Sequence, residues 1–212
     1  MAVSFVAASA VVTGANPTLA VPSGYAQGDL LVIVTTGTAT PTTPAGWTQS
    51  GVQGGTGFIT ILSKFASGTE ASVAVTLVGT ASKAVMLAYR GASGIDTVSG
   101  FTTATAATSV ATGLTGNAFA NELEVSIFVS GSTAGTWTAP ALTTSRINSS
   151  PTSSINGMLI VDETQAAAGN STSRTGTITG AHTLSAVAFS IIPSGRYWVG
   201  GTANWDGTAG TK

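Results

Sequence analysis

Apolar residues in this chain fall in short runs or at every second position, and hardly ever at the spacing of a helix face. The densest run is Leu30-Leu31-Val32-Ile33-Val34, five β-formers without a polar break. That is the pattern of a strand covered on both faces. Pro22, Gly24 and Gly28 punctuate the approach to it, and Asp29 stands at its mouth. Val3, Phe5 and Val11 suggest an opening strand, and 18–21 a short second one. Further strands are predicted at 58–65 and 83–89, while 72–78 alternates with the period of two of a half-buried strand. Residues 35–43 read as a polar loop ending in Pro44-Ala45-Gly46-Trp47, and 102–112 and 164–168 as loops or weak strands. No apolar i, i+3, i+4, i+7 pattern survives ten residues without Gly or a Thr/Ser cluster, so the class is all-β.

The rhythm occurs twice. The strand at 122–129, again with an acid at its mouth, answers the one that follows Asp29. The loop with Trp137 and Pro140 answers that with Pro44 and Trp47. Residues 157–163 answer 58–65, 175–179 answer 72–78, and 183–192 answer 83–89, a period of 93 to 102 residues. Two such halves predict one jelly-roll-like antiparallel β-sandwich over 1–193, followed by a Gly/Trp-rich C-terminal tail at 194–212.

Composition narrows the function. Only 7% of the 212 residues are charged, against about 25% in an ordinary domain. With a mean hydropathy of +0.39 and a net charge of −1 the chain is not a disordered one. The seven basic residues form no cluster, which argues against a nucleic-acid partner. There is no cysteine, so disulfides, thiolate metal sites and cysteine catalysis are excluded. No apolar run reaches the roughly 18 residues of a membrane span. The first ten residues are small and apolar, but they lack a basic leader region and read as a strand rather than a signal peptide. A surface so poor in charge has little to keep identical copies apart.

Candidate chemistry is sparse. His182, the single histidine, falls in a predicted turn and reads as an exposed loop residue. Glu122 and Glu124 are two apart on a strand and point to one face. A hard cation wants six to eight oxygens and typically a dense acidic loop, which is absent, so they read as a solvated face. Asp162 and Glu163 are neighbours, not carboxylates opposed across a cleft. No catalytic, cofactor-binding or metal residue is assigned, and no cofactor is expected. Asp29 and Arg90 each end a core strand beside a glycine, and are expected to meet in a partly buried ion pair that fixes register. Trp47 is expected to plug the core. Tyr197, Trp198 and Trp205, on a Gly-rich backbone, are expected to contact a partner, since unpaired they would be an apolar liability.

Three of these signals occur together in a known family. Pro22-x-Gly24-x-x-x-Gly28-Asp29-Leu30-Leu31, then Pro44-x-Gly46-Trp47, then Tyr89-Arg90-Gly91 resembles a β-sandwich module of tailed-bacteriophage virion structural proteins, found also in some bacterial surface proteins. Tyr197-Trp198-Val199-Gly200-Gly201-x-x-Asn204-Trp205 is similar to a motif of phage fibre and appendage proteins. The resemblance implies a non-enzymatic virion component on the particle exterior, a capsid decoration or cement protein or a tail- or head-fibre subunit. Its partners would be further copies and other virion proteins, with host surface glycans as possible ligands. The alternative expectation is an extracellular carbohydrate-binding or adhesin module that stacks sugars on its loop tryptophans.

Overall fold

The computed structural model describes residues 2–52, 58–77, 79 and 81–195, which form strands and no helix. In the first half these are β1 (Ser4–Ala8), β2 (Val12–Thr13), β3 (Thr18–Leu19), β4 (Leu30–Gly37), β5 (Thr48–Val52), β6 (Phe58–Phe65), β7 (Val73–Ala74) and β8 (Lys83–Arg90). In the second they are β9 (Ala92–Val98), β10 (Thr102–Ala111), β11 (Gly116–Asn117), β12 (Glu122–Ser130), β13 (Trp137–Thr138), β14 (Thr144–Ser149), β15 (Gly157–Gln165), β16 (Gly169–Asn170) and β17 (Thr175–Pro193).

The halves repeat in order, with one addition in the second, β13, which pairs with β17. β4 lies between β8 and β6, with β5 beyond β6 and both β1 and β2 on the far edge of β8. β12 lies between β17 and β15, with β14 beyond β15 and both β9 and β10 on the far edge of β17. A two-residue ladder accompanies each sheet, β3 with β7 and β11 with β16. Every pairing is antiparallel, and neighbours in space are often distant in sequence, as in jelly rolls. The registers match as well. Leu30 lies opposite Tyr89 and Phe65, and Leu123 opposite Ile191 and Thr164.

The two sheets form a sandwich with one central core. Leu30, Val32, Val34, Ile61, Leu87 and Tyr89 of the first meet Leu123, Val125, Ile127, Ile160 and Phe189 of the second. The outer face of each sheet is covered too. Leu31 and Ile33 pack with Leu19, Trp47, Leu62 and Val75, while Phe128 packs with Trp137, Leu159, Ile178 and Leu184. The apolar run of β4 is therefore buried on both faces, which is why it carries no polar alternation. Full burial of such a side chain is worth about 1.5–3 kcal/mol.

Several boundaries depart from the sequence reading. β4 continues through Thr35, Thr36 and Gly37, all buried, where a polar loop was expected; the Lys83 amide donates to Thr36 Oγ1 at 3.0 Å. β10 is a full strand, made by its ladder with β17 rather than by apolar weight. Residues 175–179 and 183–192 join in the single strand β17, bent at Gly180 (φ +84°). By pairing, β16 and not the start of β17 answers β7. The 72–78 alternation does place Val75 and Leu77 inside, but that segment is held mainly by single bonds, Val75 N to Pro17 O and Leu77 N to Ala15 O.

Candidate functional site

The chemistry-bearing residues collect where the strands start. Ala26-Gln27-Gly28-Asp29 is a tight turn closed by Asp29 N donating to Ala26 O at 3.1 Å. Gly28 takes φ +85°, the sign that Gly or Asn supplies most readily at the third position of such a turn. The Ala26 amide donates to Asp29 Oδ2 at 2.8 Å. The structure brings Arg90 onto the same carboxylate, Nε to Oδ1 at 3.1 Å and Nη2 to Oδ2 at 2.8 Å, while Nη2 also reaches Gly24 O at 2.9 Å. Burial alone pushes the Asp29 carboxyl up. The bonds from Arg90 and the Ala26 amide outweigh that and hold it below the ordinary range.

The second half repeats the turn. Asn121 takes φ +64° where Gly28 stands, and its amide donates to Gln165 O as that of Gly28 does to Ala66 O. The Phe119 amide donates to Glu122 Oε1 at 2.7 Å, as Ala26 does to Asp29. Among the described residues no cation meets Glu122. Opposite Leu123 stands Ile191, so the strand position of Arg90 is taken by Ile192. The neighbour of Glu122 is Asp96 from β9, and burial first, then this second carboxylate, raises the Glu122 pKa.

The solvated-face reading of Glu122 and Glu124 is overturned. They share the outer face of the second sheet but are 0% and 1% exposed. A roof of Thr115, Asn117 and Ser171, carried by the β11–β16 ladder, covers Glu124; Thr115 Oγ1 lies 2.7 Å from its Oε2. Burial raises the Glu124 pKa. Its cross-strand neighbour Glu163 is gripped by Arg174 through Nε and Nη2.

Two polar ties join the halves. Arg146 of β14 donates from Nε to Asp162 Oδ2 at 2.8 Å, and its guanidinium lies over the Phe5 ring at 4.6 Å. Phe5 in turn meets Tyr89 edge-on at 5.8 Å. Burial pushes Asp162 up despite Arg146. On another side Lys83 of β8 donates from Nζ to Ser149 Oγ, Ser149 O and Ser150 O at 2.8, 3.2 and 3.1 Å. Burial brings its pKa down to about 8.

His182 is not an exposed loop residue. It is 3% exposed inside β17, with Nε2 3.0 Å from Thr179 O, because the bend at Gly180 folds the strand over it. Trp47 packs into the outer core of the first half and Trp137 into that of the second, 8% and 2% exposed. Neither offers a face for a sugar, which removes the loop tryptophans from the glycan reading. The two are also not counterparts. The matching residues are Pro44 and Pro140, and Trp47 follows its proline while Trp137 precedes its own. Tyr197, Trp198 and Trp205 lie outside the described residues. Among the described residues no group of three His, Asp or Glu is placed to hold a metal ion.

No family model, curated protein or solved structure matches the chain.

Proposed function

We propose that this chain is a non-enzymatic virion structural protein of a tailed bacteriophage, carried on the particle exterior. A capsid decoration or cement protein is the favoured placement, with a tail- or head-fibre subunit second in the same class. The observation that supports it is the use made of the motif residues. Gly28 and Asp29 form the turn into β4, Arg90 clamps that turn, Gly46 shapes the loop before β5, and Trp47 fills the outer core. The features that resemble the phage module are thus scaffold. What the scaffold presents outward is a surface poor in charge and rich in Thr, Ser, Ala and Gly, suited to packing against copies of itself and other virion proteins.

Mass spectrometry of gradient-purified particles tests the reading. The chain is expected at a stoichiometry of many copies per particle; its absence from particles that retain their other structural proteins would overturn it.

A further inference from the structure

The repeat supplies an internal control for one residue that the fold does not explain. Pro44-Ala45-Gly46-Trp47 and Pro140-Ala141-Leu142-Thr143 are the same turn leading into the outermost strand of each sheet. Thr48 lies opposite Ser63, itself opposite Val32; Thr144 lies opposite Asp162, itself opposite Val125. Gly46 sits at φ +80° and Leu142 at φ +67°. That conformation suits glycine and strains leucine. A Cβ at Gly46 would meet nothing within 4 Å, so in the first half the position needs only a backbone. In the second half the same conformation carries a leucine that is 86% exposed. Within one chain that leucine gains no burial to offset its strain.

Two recesses flank the start of β12 beside it. One, of about 530 Å³, is lined by Ala2, Ala118, Phe119, Ala120, Asn121 and Pro193 and is mostly apolar. The other, of about 550 Å³, is lined by Leu142, Phe5, Leu123, Arg146, Asp162 and Glu163 and is mostly polar. Asn121 lines the first and Leu123 the second, so knob and hole open at one end of the sandwich. Beside Leu142 the charges are matched within the chain, Arg146 by Asp162 and Arg174 by Glu163, while at the recess Asp96 accepts from the Ala118 amide and stands beside Glu122. The knob side of this end therefore brings no unpaired charge to a second copy.

We infer that this end of the second half is a self-association surface, in which Leu142 of one copy seats in the recess beside Asn121 of a second copy, and reciprocally. A two-fold contact requires knob and hole on one face, which this end provides. The inference rests on the proposed function only in taking the chain to assemble with copies of itself; it names the surface.

Sedimentation analysis of the full chain tests it, with Leu142→Gly and Ala120→Arg as variants. Ala120 is exposed, so arginine there blocks the recess without touching the core. The wild type self-associates, and each variant weakens association by at least about tenfold, as loss of a central apolar anchor does. Leu142→Gly also melts no lower than wild type at a dilution where both are monomeric, because it relieves the strained backbone. A wild type that stays monomeric at the highest concentration reached overturns the inference. So does either variant associating as tightly as wild type, or a lowered melting temperature for Leu142→Gly, which would make Leu142 a residue of the fold. None of these results touches the virion reading, which is decided by what purified particles contain.

Discussion

Asp29 and Glu122 occupy the same position in the two halves, each accepting a backbone amide from three residues upstream, and their electrostatics are opposite. Asp29 is met by Arg90, while Glu122 is met by Asp96. One carboxyl is thereby held ionised and the other is pushed towards its protonated form.

Substitutions at the two sites therefore diverge. Asp29→Asn removes the acceptor of charge-assisted bonds and is expected to destabilise by about 1–2 kcal/mol at pH 7. Glu122→Gln leaves stability unchanged or raises it, because an amide suits a site that disfavours charge. Urea denaturation of the two variants side by side reads the difference, and equal losses would contradict the assignment.

The pH dependence follows from the same groups. Glu122, Glu124 and Asp162 have raised pKa values, so the folded state holds protons that the unfolded chain has released. Their contribution is fully present below the unfolded carboxylate range of about 4 and is lost as pH rises through the folded values. Asp29 and Glu70 are lowered, and contribute above that range until pH falls through their folded values. Stability is thus expected to rise as pH falls from neutral towards the unfolded carboxylate range and to fall only below about 4. Glu124→Gln should flatten the first limb. A wild type whose stability falls steadily from pH 7 downwards rules this out.

Lys83 acts on the alkaline side. Burial brings it to about 8, whereas an unfolded lysine titrates near 10.4. Between those values the unfolded chain binds more protons, so stability rises with pH across the window. Lys83→Met should abolish that rise, measured as the midpoint of denaturation from pH 8 to 10.

Some glycines are set by close approach. A Cβ at Gly157 would collide with Ser130 Oγ and lie 2.7 Å from Pro151 Cδ and 2.8 Å from Trp137 Nε1. Gly157→Ala is expected to cost about 1–3 kcal/mol as overpacking, with a shift in Trp137 fluorescence. Gly28→Ala, where a Cβ meets nothing, is destabilising through its positive φ alone and leaves tryptophan emission unchanged.

What the chain discloses follows from how each element is made. The β4 run is legible because five apolar residues in succession need cover on both faces. The acid at its mouth and Arg90 at the end of β8 are legible because each closes a core strand beside a glycine. β5, β9 and β14 are not, since their Gly, Ser and Thr residues take strand form from the ladder they join. The burial of Glu124 is hidden for a similar reason, its roof at 115–117 being held in place by 169–171, distant along the chain. The paired Trp/Pro loops mislead by composition: the repeat is carried by Pro44 and Pro140, and aligning those prolines sets Leu142 against Gly46.

The central claim is an exterior place on a virion, and gold-labelled antibody against the folded sandwich, imaged by electron microscopy on intact gradient-purified particles, tests it most directly. Gold is expected at repeated positions on the outer surface of capsid or tail. Intact particles without label, with the protein recovered free in the lysate, would contradict it.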